Sequence, residues 1–264
     1  MEYEKLFNDS IEFTRETFAG HWVRWLIFIL LGLPFSLIRF VVDPRKIMTG
    51  STIHWEMIPW GSIAVLVIIG FLASLFISGY IVRIYRGTRP APDFTGWAAL
   101  FIDGIKVDIV MFAWFLPALI VLLAELALGL GMITTARFTA NPGTIVLMIL
   151  LIPVELILLL IAIFYMTMGA VRFARTGSMA EGWRFSAISA ILRRIGWWNY
   201  LIAVILLAVA GLFFNLVVSV PAVIPYVGWI VPVVLSPLLT VFAGRYFTLV
   251  YEAGEAPPPP APVP

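Results

Sequence analysis

Long apolar runs separated by short polar segments dominate the chain. A membrane-spanning helix needs about 20 mostly apolar residues, and the pattern predicts six such helices: 22–42, 60–86, 107–132, 142–172, 197–220 and 227–251. The last two come from one run, 195–244, that contains no acidic or basic side chain. As a single helix this run would be about 75 Å long, more than twice the thickness of the membrane core. We therefore expect it to fold back near Pro221, Pro225 and Gly228.

The N-terminal segment has the pattern of a helix with one apolar face. Its apolar side chains recur at helical spacing, with Thr14 on the same line: Tyr3, Leu6, Phe7, Ile11 and Phe18. The segment is rich in acidic residues and lacks the apolar centre of a signal peptide. Two interpretations stay open. One is a helix lying in the membrane interface, which His21 and Trp22 favour because they lead straight into apolar sequence. The other is a soluble helical tail.

The polar segments that connect the predicted spans resemble one another. Three span exits combine a small residue, an arginine and a later glycine: 79–87, 169–177 and 244–254. Two entries carry helix-start signals, Asp93 in one and a capping box of Ser178 and Glu181 in the other. We predict an all-α integral membrane protein with six transmembrane helices. They form three pseudo-repeated hairpins, each preceded by an amphipathic interfacial helix. Common ancestry of the hairpins and ordinary membrane-hairpin chemistry both explain the likeness.

These boundaries predict a single membrane domain over 1–254. Its hairpin units cover about 2–87, 93–177 and 178–254, and a disordered, proline-rich cytoplasmic tail covers 255–264. The composition supports this class, since 62% of the residues are hydrophobic and 12% charged, against about half and a quarter in soluble domains. No cysteine is present, so no disulfide can form.

The distribution of lysine and arginine predicts the orientation. Most of the 17 basic residues fall on one side of the predicted spans, and the others are Arg39, Arg45, Lys46 and Arg137. By the positive-inside rule, both termini of a multi-pass plasma-membrane protein would be cytoplasmic. Six arginines at the cytoplasmic ends are candidates for contact with lipid headgroups: Arg83, Arg86, Arg172, Arg175, Arg193 and Arg194.

The sequence pattern of one connecting segment resembles that of a known family. Its residues are Gly79, Tyr80, Arg83, Pro92, Phe94, Trp97, Phe101, Asp103, Gly104 and Lys106. This pattern resembles that of an uncharacterised archaeal and bacterial family of polytopic membrane proteins, catalogued only as domain of unknown function 4013. The resemblance extends over about 60–251. It implies a six-helix integral membrane protein without an assigned activity, and it supplies no catalytic residues.

Two acidic residues lie inside predicted spans. Glu155 falls near the middle of the fourth span, two residues after Pro153, and Glu125 falls in the third. A carboxylate inside the bilayer is costly and points to a functional site. Glu155, Glu125 and Asn215 therefore form a candidate transport or ligand site. Alternatively, Glu155 is protonated and bonds a backbone carbonyl freed by Pro153, which would be a purely structural role.

The remaining sequence offers no recognised catalytic motif. We predict a non-enzymatic membrane component such as a scaffold, assembly factor or accessory subunit. The alternative is a small-solute, lipid or proton-coupled transporter that uses Glu155 and Glu125. A third hypothesis is a lipid-modifying enzyme with Mg²⁺ at Asp103 and Asp108.

We expect no cofactor and no metal site, since His21 and His54 have no ligand partners at metal spacing. The expected partners are membrane lipid and a membrane or cytoplasmic protein. The net charge of +2 gives no reason to expect nucleic acid, and the oligomeric state stays open.

Overall fold

A computed structural model describes residues 1–42, 47–49, 52–134, 142–222, 224 and 228–255. The helices are α1 (Tyr3–Phe18), α2 (Trp22–Val41), α3 (Trp60–Tyr85), α4 (Trp97–Thr134), α5 (Pro142–Thr176), α6 (Met179–Gly182), α7 (Phe185–Ile195), α8 (Trp197–Ala222) and α9 (Ile230–Glu252). A two-residue antiparallel pair, β1 (Met48–Thr49) and β2 (Thr52–Ile53), is followed by a 3₁₀ turn at Trp55–Met57. The predicted tail lies outside the described residues from 256 onward, as does Pro225.

Six helices are long and apolar enough to cross a membrane: α2, α3, α4, α5, α8 and α9. The predicted number of spans is therefore confirmed over the described residues. The third span begins earlier than predicted, because the polar entry segment and the apolar run form one uninterrupted helix from Trp97. Asp93 is not its N-cap residue, because the helix begins only at Trp97, and the Asp93 carboxylate is bound by Arg24.

The chain forms two compact units. The first contains residues 1–105 and 191–264, and the second contains residues 106–190. In the first unit an aromatic cluster joins α2, α3 and the loop before α4. Phe28 packs edge-on against Tyr80 and Phe94, each at 5.0 Å between ring centroids, and Tyr80 stacks on Phe94 at 4.5 Å. This cluster fixes the position of the loop relative to both helices.

Helix α1 packs along α9, where Phe7 meets Tyr246 at 5.3 Å between ring centroids. The side of α1 that the protein buries overlaps only partly with the predicted apolar face. Three members of that face are buried: Leu6, Thr14 and Phe18. Phe13 is fully buried, whereas Ile11 is 55% exposed. Ser10, also buried, bonds its hydroxyl to a carbonyl of its own helix. The buried side is therefore shifted from the predicted apolar line, because the contacts of α1 with the spans also determine which residues face the protein.

Helices α3 and α4 approach each other closely within the first unit. A Cβ atom added to Gly79 would lie 1.9 Å from the carbonyl oxygen of Leu100, and one added to Gly104 would lie 1.8 Å from that of Leu75. Real Cβ atoms do not approach other atoms so closely. The two glycines therefore permit backbone-to-backbone contact on both sides of one crossing.

In the second unit, the short helix α6 packs against α5, and it is also hydrogen-bonded to α4. The Trp114 indole donates to the carbonyl of Gly182 at 3.2 Å, and the Trp183 indole donates to that of Val110 at 3.2 Å. The predicted helix from Ser178 onward is interrupted between α6 and α7. The predicted capping box is wrong, because the Ser178 side chain makes no cap bond and Glu181 instead binds arginines.

Candidate functional site

Glu155 lies on α5 in the second unit. Its side chain is only 8% exposed, although the residue stands in a span. Its Oε2 atom is buried and has no hydrogen-bond partner among the described residues. The bond to a carbonyl freed by Pro153, which the structural alternative requires, is not found in the part of the chain that the structure describes. Burying an unpartnered carboxyl group is costly, so packing alone does not account for a glutamate at this position.

Glu125 lies on α4 in the same unit and is half-buried. Its Oε1 atom is also buried without a partner within the described ranges. The structure shows no hydrogen bond between Glu125 and Glu155 in those ranges. Each carboxyl group can therefore accept a hydrogen bond or a proton that the described protein does not supply.

Asn215, the third predicted member of this group, belongs to α8 of the first unit. Its amide donates to the carbonyl of Gly211 at 2.8 Å, within its own helix. Ser236 on α9 likewise donates to the carbonyl of Val233 at 3.3 Å. Both side chains bond within their own helices, because the carbonyl three or four residues earlier is within reach of a short polar side chain.

Two of the predicted headgroup arginines bind the loop before α4 and α4 itself. Arg83 donates to the carbonyls of Asp93 and Thr95 at 2.7 and 2.6 Å. Arg86 forms an ion pair with Asp103 at 2.7 Å. Asp103 was a candidate Mg²⁺ ligand, and this pairing commits one of its oxygens to an arginine. The family-like segment is thus held together by its own polar residues.

The other four predicted arginines divide into two kinds. Arg172 donates two hydrogen bonds to one oxygen of Glu181, whose other oxygen accepts from Arg184 at 2.9 Å. Hydrogen bonds from Arg172 and then Arg184 hold the pKa of Glu181 below its ordinary value. Arg175 is partly exposed. Arg193 and Arg194 are exposed, and neither forms an ion pair within the described chain, so only these two present free guanidinium groups.

The first unit also contains an ion cluster that the sequence did not predict. Asp9 on α1 accepts two hydrogen bonds from Arg245 on α9, at 2.8 and 3.0 Å, and is also paired with Arg89. Arg245 is 6% exposed and lies 5.3 Å from the ring centre of Phe13. Arg245 could have pointed to this cluster, since it is a charged residue directly after a long apolar run in the sequence. Its partner is 236 residues away, and spacing does not reveal such a pair.

No group of three or more histidine or acidic side chains in the described residues could hold a metal ion. His54 contacts Glu56 at 3.0 Å in the segment before α3. A hydrogen bond from the backbone, then one from His54, lowers the pKa of Glu56.

A family described as "Protein of unknown function (DUF4013)" matches residues 62–223. No curated protein and no solved structure matches the chain. The matched range contains both the family-like segment around Gly79 and the two intramembrane glutamates. It excludes α1 and α9, so the Asp9–Arg245 pair lies outside the matched range.

Proposed function

The chain belongs to the DUF4013 family of proteins of unknown function, and from that premise we propose that it is a non-enzymatic component of the plasma membrane. Its role would be that of a scaffold, an assembly factor or an accessory subunit. Its partners would be membrane lipid and another membrane or cytoplasmic protein.

This proposal rests on acidic residues outside the spans, whose salt bridges connect separate parts of the fold. Asp9 joins α1 to Arg245 of the last span, and Asp93 joins its loop to Arg24 at the start of α2. A charge-assisted hydrogen bond between segments that are distant in the chain restrains both of them, which suits a structural role. These salt bridges favour a rigid framework.

We further propose the finer arrangement that the sequence suggests. The six spans would form one membrane domain of three related hairpins, with amphipathic helices at the interface and both termini in the cytoplasm. Support comes from α1, which buries Leu6 and Phe13 while Lys5 and Glu12 stay exposed. Such a division of side chains suits the boundary between lipid and water.

Deletion of the gene, followed by quantitative proteomics of the membranes, tests the scaffold role. Loss of a scaffold or accessory subunit should lower the abundance of a defined set of membrane proteins. Wild-type chain and the Glu155→Gln variant should both restore that set, because a framework does not need a titrating group at this position. An unchanged membrane proteome would contradict the scaffold role.

The second candidate function is a small-solute, lipid or proton-coupled transporter. It is favoured by the buried, unpartnered oxygens of Glu155 and Glu125 within the described chain. A protonatable group that the protein leaves unpaired can bind and release a proton or a cation as its surroundings change.

Purified protein in liposomes that contain a pH-sensitive dye tests this candidate. Proton-coupled transport would acidify or alkalinise the lumen under a proton or potassium gradient, and Glu155→Gln should abolish the signal without altering the melting temperature. Glu56→Gln is the matched control, since Glu56 is exposed and outside the spans. Equal rates in wild type and Glu155→Gln would exclude proton relay through this residue.

A further inference from the structure

A groove in the first unit runs between α1, α8 and α9 and has a volume of about 640 Å³. Phe7, Ile11 and Phe18 of α1 form one wall. Phe213 of α8 and Leu238 of α9 contribute to the others. All these side chains are apolar, and the groove is long enough on α1 to cover about three helical turns.

The groove explains the apolar face that the sequence predicts for α1. Phe7, Ile11 and Phe18 of the predicted face border the groove, and of these three only Phe18 is itself buried. Ile11 is 55% exposed and Phe213 is 69% exposed. Large apolar surface between a helix and two membrane spans needs an apolar covering, and within a bilayer an acyl chain provides it.

Arg15 stands at the edge of this groove. It is exposed and has no ion pair within the described residues, whereas Arg24, Arg89 and Arg245 of the same unit are all paired with carboxylates. Arginine binds phosphate oxygens through its planar, forked donors. An unpaired guanidinium beside an apolar groove therefore matches the two parts of a phospholipid, its phosphate and its acyl chain.

We propose that this groove is a binding site for one membrane phospholipid. An acyl chain lies between α1, α8 and α9, and the phosphate accepts hydrogen bonds from Arg15. The site depends on the location of the spans in a membrane, and it is independent of whether the protein acts as a scaffold or as a transporter.

Native mass spectrometry of the full chain, released from detergent, tests this site. Dioleoyl phosphatidylglycerol is titrated and the first bound lipid is counted. Dioleoylglycerol, which has the same chains and no phosphate, is the matched probe. Wild type should bind the phospholipid about tenfold more tightly than the diacylglycerol, the difference expected for one charge-assisted hydrogen-bonding group.

Two variants test the phosphate contact and the acyl-chain contact separately. Arg15→Gln should weaken phosphatidylglycerol binding about tenfold and leave dioleoylglycerol binding unchanged. Ala210→Phe places a ring in the groove, to which Ala210 contributes, and should abolish first-lipid binding for both probes. Their controls are Arg39→Gln, an exposed arginine near the end of α2 without an ion pair in the described chain, and Ala208→Phe, on the exposed side of α8.

Several results would overturn the proposal. Equal binding of the two probes, or unchanged phosphatidylglycerol binding by Arg15→Gln, would remove the phosphate contact. Equal effects of Ala210→Phe and Ala208→Phe would mean that lipid coats the surface without a defined site. A stable dimer that dissociates on Ala210→Phe would show that a second copy covers the groove. Melting temperatures of all variants show whether each one is folded, and Arg15→Gln, at an exposed position, keeps the test decisive if Ala210→Phe fails to fold.

Discussion

Substitution of Gly104 by alanine tests the close crossing of α3 and α4. The added Cβ would lie 1.8 Å from the carbonyl oxygen of Leu75, where ordinary contact begins at about 3.4 Å. The helices must therefore separate locally by about 1.5 Å. Backbone atoms on the opposite helix cannot rotate away, so the clash is relieved only by moving the helices apart. We expect Gly104→Ala to weaken the crossing.

The size of the effect follows from two opposing terms. Overpacking at a tight contact costs about 3 kcal/mol at the upper end of the usual range, and replacing glycine by alanine inside a helix returns about 1 kcal/mol. Gly104→Ala should therefore destabilise the protein by about 2 kcal/mol. Gly211→Ala is the matched control, because a Cβ on Gly211 would meet no atom within 4 Å. It should be neutral or slightly stabilising.

The measurement is the unfolding of purified protein in mixed micelles, monitored by far-UV circular dichroism. Gly79→Ala provides an internal check, since Gly79 faces Leu100 across the same crossing. If both alanines act by separating the same two helices, the double variant should lose less stability than the sum of the single variants. Stability of Gly104→Ala equal to that of Gly211→Ala, or strict additivity with Gly79→Ala, would refute this reasoning.

Three other predictions concern charge and orientation. Arg245→Met should cost about 3 kcal/mol in chemical unfolding, because it leaves part of a buried ion pair behind, while Arg194→Met should be neutral. Because the folded protein lowers the pKa of Glu181, its ion pairs should stabilise the chain above the ordinary carboxyl pKa, and this contribution should fade as the pH falls through the lower folded value. Melting curves across acidic pH should show this loss in wild type and not in Glu181→Gln. For orientation, cysteine in place of Thr88 should react with an impermeant thiol reagent only after lysis. Cysteine in place of Ser51, outside the described residues, should react in intact cells, and the reverse pattern would contradict cytoplasmic termini.

The two glutamates within spans show which features of a site can be predicted from the sequence. Glu155 and Glu125 can be identified from the sequence because each is an acidic residue within a long apolar run. The burial of the Glu155 side chain depends on the rotation of α5, which neighbouring helices determine. The same dependence explains why Asn215 bonds its own helix and not another one.

The sequence alone determined the membrane class, the six spans and the helical nature of the N-terminal segment. These properties depend on the length and spacing of apolar side chains along a continuous stretch, because each span must satisfy its own backbone within lipid. Only the tertiary structure decided the pairing of Asp9 with Arg245, the contact between Gly79 and Leu100, and the burial of Phe13 on α1. Those features join residues that are distant in the chain, and they depend on helix rotation and crossing. Many rotations satisfy one apolar pattern, so packing between helices has to select among them.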